Sequence, residues 1–210
     1  MFEKILDVFE KSLEKIKNIE EVKLVIDGDN LFGIQRQLKF KVDFIKFQEL
    51  LERMIKEKTK KTPGIQKLFF VPTEKVYDEQ NNPKPFFILL GYLEYKIIHR
   101  LSKIHNGKRQ STMDSLIMTE IIRTAIFDKH CKLIILVSGD QDFADAIELA
   151  KEINSKLKVW VIASKINMAQ RLRELDLERI IYIDDHIEEI RLKKGPPVSS
   201  EEKLLKKLKQ

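Results

Sequence analysis

The chain has 210 residues, of which 43% are hydrophobic, enough to bury the core of one domain but few for two complete domains. Lysine and arginine outnumber the acidic residues by 39 to 33, and the formal charge of +6 favours contact with polyanions such as nucleic acid. The single cysteine excludes an intramolecular disulfide, and no apolar run approaches the length of a membrane span. These features are typical of a soluble cytoplasmic protein, although dense surface charge is also found on thermostable proteins of any function.

The two ends of the chain differ in character from its middle. Apolar residues recur at helical spacing over residues 1–19 and predict an amphipathic helix that packs on the domain or on a partner, including a second copy of the chain. Glycine and two prolines interrupt the other end, where residues 193–210 are expected to be a flexible basic tail. Residues 20–192 are therefore expected to form one domain.

Short β-branched runs alternate with helix-like segments through this domain. The strands are predicted at residues 22–26, 67–71, 94–102, 132–137, 158–163 and 179–183. The clearest helices are predicted around 44–54, 112–127, 142–153 and 167–176, with a further short helix before residue 94. This alternation predicts an α/β fold of Rossmann-like, three-layer form, with a mostly parallel central sheet of about five strands.

Acidic and polar residues follow two of the predicted strands. They are Asp27, Asp29 and Asn30 after strand 22–26, Ser138, Asp140 and Asp142 after strand 132–137, and Asp114 at the start of helix 112–127. The carboxyl ends of parallel strands form one edge of a sheet, and ligands bind in the crevice outside that edge. We therefore expect three distant segments to deliver carboxylates to one place.

Clustered carboxylates repel one another, so a cation is expected among them. Mg²⁺ and Mn²⁺ take oxygen ligands, are held by one or two carboxylates together with water, and can activate water for attack on phosphorus. The acidic pattern therefore favours metal-dependent phosphoryl chemistry.

Three segments also resemble a known family. LVIDGDNL, LVSGDQDFADAIELAKE and VWVIASKINMAQRLRELDLERIIYID, with the helix that begins near Asp114, resemble the NYN domain of the LabA-like group, a branch of the PIN-like nucleases. The resemblance covers roughly residues 20–190 and implies a PIN-like sheet and metal-dependent cleavage of RNA. It further implies that Asp27, Asp114 and Asp140 hold Mg²⁺ or Mn²⁺, with Asp142 as a further catalytic acid and Asn30 orienting phosphate or water.

Other residues are expected to support this site. Ser138 belongs to the matched SGD motif and is interpreted as a hydrogen-bond donor to the site, and Asp29 is an acid beyond those that the family pattern requires. Glu120 stands six residues after Asp114, which places it about 120° around an α-helix and favours an outer position. A basic stretch precedes Asp114 and is suited to guiding an RNA backbone: Lys96, Arg100, Lys103, Lys108 and Arg109.

Structural explanations compete with each of these assignments. Asp27 and Asp29 are common turn formers, Asp114 fits a capping box, Asp140 and Asp142 suit a helix N-terminus, and the basic stretch fits a solvated edge. A phosphatase of the haloacid-dehalogenase type would instead use Asp27 as nucleophile and Asp29 as general acid. The third possibility is a non-catalytic module that binds RNA or protein.

Overall fold

The computed structural model describes residues 19–105, 108–110 and 112–193. The N-terminal helix predicted over residues 1–19 lies outside the described residues, apart from Ile19, which begins the first strand. The predicted tail over residues 193–210 lies outside them as well, apart from Lys193.

The described chain alternates strands and helices almost throughout. Its strands are β1 (Ile19–Asp27), β2 (Thr62–Pro72), β3 (Tyr95–Arg100), β4 (Lys103–His105), β5 (Lys108–Gln110), β6 (Leu133–Val137), β7 (Lys158–Ala163) and β8 (Arg179–Tyr182). Its α-helices are α1 (Gly28–Gln37), α2 (Phe44–Thr59), α3 (Thr73–Val76), α4 (Pro85–Tyr92), α5 (Met113–Phe127), α6 (Ala144–Ile153), α7 (Gln170–Glu174) and α8 (Ile187–Ile190). Two 3₁₀ turns, Gln141–Phe143 and Ile183–His186, precede α6 and α8.

Six of the strands form one parallel sheet in the order β3-β2-β1-β6-β7-β8, while β4 and β5 form a separate antiparallel hairpin. The predicted fold class is confirmed, with six strands rather than about five. The strand order reverses between β1 and β6, which pair directly from Val22–Leu133 to Ile26–Val137. In open α/β sheets, the point at which the order reverses opens a crevice at the carboxyl ends of the strands.

Apolar side chains cover both faces of this sheet. On one face Phe69 and Trp160 pack with residues of α1, α2 and α4, and on the other Ile134 and Phe143 pack with α5, α6 and α7. Every residue of β6 is buried, as is usual for a central strand that is covered on both faces. The sheet and the helices on its two faces are the three layers of the fold. Because both faces are covered, polar groups lie at the edges of the sheet.

The structure differs from the sequence-based expectation in local detail. Helix α1 begins directly at Gly28, in a segment where no helix was predicted. The helix predicted at 167–176 spans only Gln170–Glu174, and β3 ends at Arg100, ahead of the β4–β5 hairpin. In the described part of the chain, no helix is both long enough and apolar enough to cross a membrane.

Candidate active site

Asp27 is the last residue of β1 and the N-cap of α1. Its Oδ1 accepts hydrogen bonds from the backbone N–H groups of Asp29 and Asn30, both at 3.1 Å, which satisfies two of the donors that a helix N-terminus leaves free. Its Oδ2 accepts a hydrogen bond from Ser138 Oγ at 3.0 Å. With only 4% of the residue exposed, this carboxylate is fixed in place at the junction of β1 and β6.

Burial raises the pKa of Asp27 to about 6, although hydrogen bonds from Asn30 and Ser138 act in the opposite direction. The negative charges of Asp114 and Asp29 raise the pKa further. At neutral pH the carboxylate of Asp27 is therefore a buried anion beside other anions, an arrangement that a bound cation would stabilise.

Asp114 lies in the first turn of α5 and is partly buried. Burial raises its pKa, and so do the charges of Asp140, Asp142 and Asp29. Within the described residues its carboxylate makes no hydrogen bond, and the N-cap residue Thr112 forms no side-chain cap. Among the described residues, therefore, no helix-capping contact accounts for Asp114.

Asp140 follows β6 and caps the 3₁₀ turn, with its Oδ1 accepting from the backbone N–H of Asp142 at 3.1 Å. The backbone N–H of Asp140 donates to Ser138 Oγ at 3.3 Å. Asp142 is exposed, and its carboxylate is not needed for this cap. The structure thus brings five carboxylates to one edge of the sheet, which we call the acidic edge: Asp27, Asp29, Asp114, Asp140 and Asp142.

Asn30 connects the loops that follow three strands. Its Oδ1 accepts from the backbone N–H of Gly139 at 3.3 Å and from Asn167 Nδ2 at 3.0 Å. A Cβ at Gly139 would lie 2.5 Å from the backbone oxygen of Asn167, so only glycine fits this close approach. The ends of β1, β6 and β7 are therefore locked together beside the acidic edge.

Two of the predicted supporting acids have cationic partners. Asp29 pairs with Lys75 Nζ at 2.6 Å, which offsets part of the negative charge of the acidic edge. Glu120 pairs with Lys23 Nζ at 3.0 Å, and Lys23 stands four residues before Asp27 on β1, roughly 13 Å away along an extended strand. The structure therefore does not bring Glu120 to the acidic edge, because α5 runs from Asp114 back towards the amino ends of the strands.

The predicted RNA-binding residues flank this region on the β3 side. Lys96 and Arg100 are exposed on β3, beyond β2 in the sheet. Lys103 lies in β4, and Lys108 and Arg109 lie in β5, so the hairpin of these strands leads directly into α5 and Asp114.

The NYN domain model matches residues 21–184, most of the chain. The protein belongs to the NYN domain family. This family lies within the PIN-like nuclease superfamily, whose domains are generally RNA-related and generally use divalent metals. The match gives no support to the haloacid-dehalogenase alternative.

A crystal structure of a protein of unknown function from Vibrio parahaemolyticus is similar to this NYN domain. The TM-score is 0.66 at 18% identity, and the match covers 83% of this chain and 98% of that chain. At this identity the likeness shows a shared fold. A search of curated proteins found no match.

The donor atoms of the acidic edge suit a hard cation. They are all carboxylate oxygens, and the pKa values of Asp27 and Asp114 are raised by burial and by neighbouring negative charge, an effect that a bound cation would reverse. Among the described residues, no group of three or more His, Cys, Asp or Glu side chains is arranged to hold a metal ion as it stands. The residues present therefore fit Mg²⁺ or Mn²⁺ with water completing the coordination of the ion, rather than a closed protein cage.

Two residues of the site were missed from sequence. Asn167 follows β7, and its position after a strand end was a usable signal, because the residues after β1 and β6 were selected on that basis. Lys75 lies in α3, a helix of four residues in a segment rich in turn formers, and nothing in its sequence position indicates its pairing with Asp29.

Proposed function

We propose that this NYN domain is a metal-dependent endoribonuclease of the LabA-like group that hydrolyses phosphodiester bonds of RNA. Asp27, Asp114 and Asp140 hold Mg²⁺ or Mn²⁺ at the acidic edge. The observation that carries this proposal is geometric: Ser138 Oγ hydrogen-bonds both Oδ2 of Asp27 and the backbone N–H of Asp140, so the ends of β1 and β6 bring these two acids together. The negative charges of Asp27, Asp114 and Asp140 act on one another in the same sense, since Asp114 raises the pKa of Asp27 and Asp140 raises that of Asp114.

The side chains of the acidic edge have different parts in this proposal. Asp27 is rigid and buried, so it fixes the position of the ion, while Asp140 uses Oδ1 as a cap and keeps Oδ2 available. Asp142 is exposed, whereas Asp140 is partly buried, and in this proposal Asp142 faces water or substrate. A divalent ion bound here supplies positive charge to the scissile phosphate and a water nucleophile at neutral pH.

The basic residues on the β3 side have the opposite charge and contact the RNA backbone in this proposal. Lys96 and Arg100 are exposed, so phosphate groups reach them without displacing the packed core. The hairpin of β4 and β5 precedes α5 in the chain, and Lys103, Lys108 and Arg109 of this hairpin are proposed to add to the contacts with RNA. A strand of RNA bound along these residues reaches the acidic edge.

Cleavage of a single-stranded fluorescent RNA in the presence of Mn²⁺ tests this function, with the Asp140→Asn variant as the decisive comparison. Asparagine keeps an oxygen for the N–H of Asp142, so the 3₁₀ turn is retained while the negative charge is lost. We expect cleavage to fall by more than about 100-fold.

The matched control is Asp145→Asn, the same change five residues further on, at an exposed position that pairs with Arg171. Full activity is expected for this control. Undiminished cleavage by Asp140→Asn would contradict the mechanism. A wild-type protein that binds RNA without cleaving it would instead identify a non-catalytic module.

A further inference from the structure

The side-chain amides of Asn30 and Asn167 form a chain whose direction is fixed by the backbone. The N–H of Ser164 donates to Asn167 Oδ1 at 2.9 Å, so the Nδ2 group of Asn167 must face the other way, towards Asn30. The N–H of Gly139 requires an acceptor, and this requirement turns Oδ1 of Asn30 towards it. Two backbone donors at opposite ends therefore leave one orientation for both amides.

This orientation determines what Asn30 offers to a ligand. A carbonyl oxygen has two lone pairs, and Oδ1 of Asn30 already accepts two hydrogen bonds, from Gly139 and Asn167. The oxygen is thus not available to a cation. Asn30 is partly exposed, and its Nδ2 group makes no hydrogen bond to another described residue, so this nitrogen is the part of the amide that can donate to a ligand.

We propose that Asn167 is a positioning residue that holds the amide of Asn30 as a hydrogen-bond donor to a non-bridging phosphate oxygen of RNA. This inference rests on the proposed function for its substrate. Its physical reason is that the acidic edge repels a phosphodiester, so a donor locked in place beside it lowers the cost of approach without adding charge.

A second reading of Asn167 is that it only closes the turn after β7, where its Oδ1 accepts from Ser164. The Asn167→Asp variant separates the two roles. Aspartate keeps an acceptor for the N–H of Ser164 but replaces the Nδ2 donor with an oxygen that faces Oδ1 of Asn30. The turn is retained, whereas the amide of Asn30 is repelled from its position.

The test is binding of a short fluorescein-labelled single-stranded RNA, measured by anisotropy with Ca²⁺ in place of Mn²⁺ to suppress cleavage. The charge control is Gln141→Glu, which adds the same charge at an exposed position after β6 and leaves both amides untouched. We expect Asn167→Asp to weaken RNA binding at least about fivefold more than Gln141→Glu, with a melting temperature close to that of the wild type. Equal affinities for these two variants would overturn the proposal.

Nuclear magnetic resonance provides a readout on the unmodified protein, in case Asn167→Asp does not fold. The side-chain Nδ2 signals of Asn30 are identified by their loss in Asn30→Asp, and they are expected to shift when the RNA is added. If they do not move while other signals report saturation, Asn30 does not contact the RNA and the proposal fails. Both readouts measure binding and not cleavage. A wild-type protein that binds RNA without cleaving it would therefore contradict the proposed function, while the role of Asn167 would still be tested by these two measurements.

Discussion

The hydroxyl of Ser138 donates to Oδ2 of Asp27 at 3.0 Å and so joins the ends of two strands that lie 111 residues apart in the chain. The Oγ atom of Ser138 also accepts a hydrogen bond from the backbone N–H of Asp140 at 3.3 Å. Because Ser138 is fully buried, water does not replace this hydroxyl readily if it is removed. One side chain therefore controls the placement of two acids at the point where the strand order reverses.

Removing this hydroxyl in Ser138→Ala is expected to raise the pKa of Asp27, because the hydrogen bond from Ser138 holds it down. The acidic limb of the pH–rate profile for Mn²⁺-dependent RNA cleavage should move to higher pH, since more Asp27 is protonated at a given pH. The free energy of unfolding should fall by about 1–2 kcal/mol, because Oδ2 of Asp27 loses its protein partner.

The matched control for that variant is Ser164→Ala. Ser164 is equally buried at the end of β7, and its hydroxyl donates to Oδ1 of Asp184 at 3.2 Å, outside the acidic edge. A comparable loss of stability without a shift of the pH–rate profile is expected. If the wild type, Ser138→Ala and Ser164→Ala had identical pH–rate profiles, Asp27 would not be the group whose protonation controls activity.

The stability of the metal-free protein should fall as the pH rises through the range between the two pKa values of Asp27. In the unfolded chain this pKa is near its ordinary value of 3.8, and in the fold burial raises it to about 6, so the folded protein binds more protons between these values. The contribution of Asp27 to stability is therefore greatest below the lower value, and its loss by neutral pH removes about 3 kcal/mol of unfolding free energy. Asp114 contributes with the same sign, since its pKa is also raised.

Urea unfolding at about pH 4 and about pH 7 measures this dependence. The Asp27→Asn variant keeps an oxygen for the cap of α1 and cannot ionise, so its stability should vary less with pH than that of the wild type. Added Mn²⁺ should stabilise the wild type more at the higher pH, because the metal binds the ionised carboxylate. An unchanged pH dependence in Asp27→Asn would show that its carboxyl is not the group that titrates.

The placement of Glu120 yields a third prediction, a separation of stability from activity along α5. Glu120→Gln weakens the pairing with Lys23, which is 7% exposed and also contacts Thr124 Oγ1 at 2.9 Å and Asp128 at 3.5 Å. We expect a loss of about 1–3 kcal/mol in unfolding free energy with RNA cleavage preserved below the melting temperature. Asp114→Asn, on the same helix, should instead abolish RNA cleavage without lowering the unfolding free energy. If a folded Glu120→Gln protein lost cleavage, Glu120 would be needed for activity and not only for stability.

A methyl group at Gly139 supplies a fourth prediction. In Gly139→Ala the added carbon meets the backbone of Asn167 at 2.5 Å, so one loop must move, at a cost of about 1–3 kcal/mol in stability. The same substitution at Gly33, inside α1, meets nothing within 4 Å and should stabilise the protein by about 0.5–1 kcal/mol. Thermal unfolding of the two variants checks both signs, and a stable Gly139→Ala protein would contradict the tight approach of the two loops.

Much of the fold could be predicted from sequence because its central strands are short apolar runs. Strands β6 and β7 were placed within a residue of their observed limits, since both are buried on each face and bounded by polar residues. Helix α1 was not predicted, because the polar residues from Asp27 to Asn30 suit a loop or turn as well as the start of a helix. Local sequence does not choose between these outcomes.

The candidate site was harder to predict where a contact joins distant segments. The positions of Asp27 and Asp140 after strands made their approach foreseeable, because parallel strand ends share one edge. The pairing of Glu120 with Lys23 could not be predicted, because Lys23 lies 97 residues away on β1. The spacing within α5 gives the position of Glu120 relative to Asp114, but it does not show which residues at the amino ends of the strands can pair with Glu120.

Calorimetric titration with Mn²⁺ at about neutral pH tests most directly whether the acids of separate segments share one ion. The proteins to compare are the wild type, Asp27→Asn and Asp114→Asn, with Asp145→Asn as the exposed control. We predict binding by the wild type and the control, and a loss of affinity of more than about tenfold in each of the other two variants. Wild-type affinity in either Asp27→Asn or Asp114→Asn would contradict a shared metal site at the acidic edge.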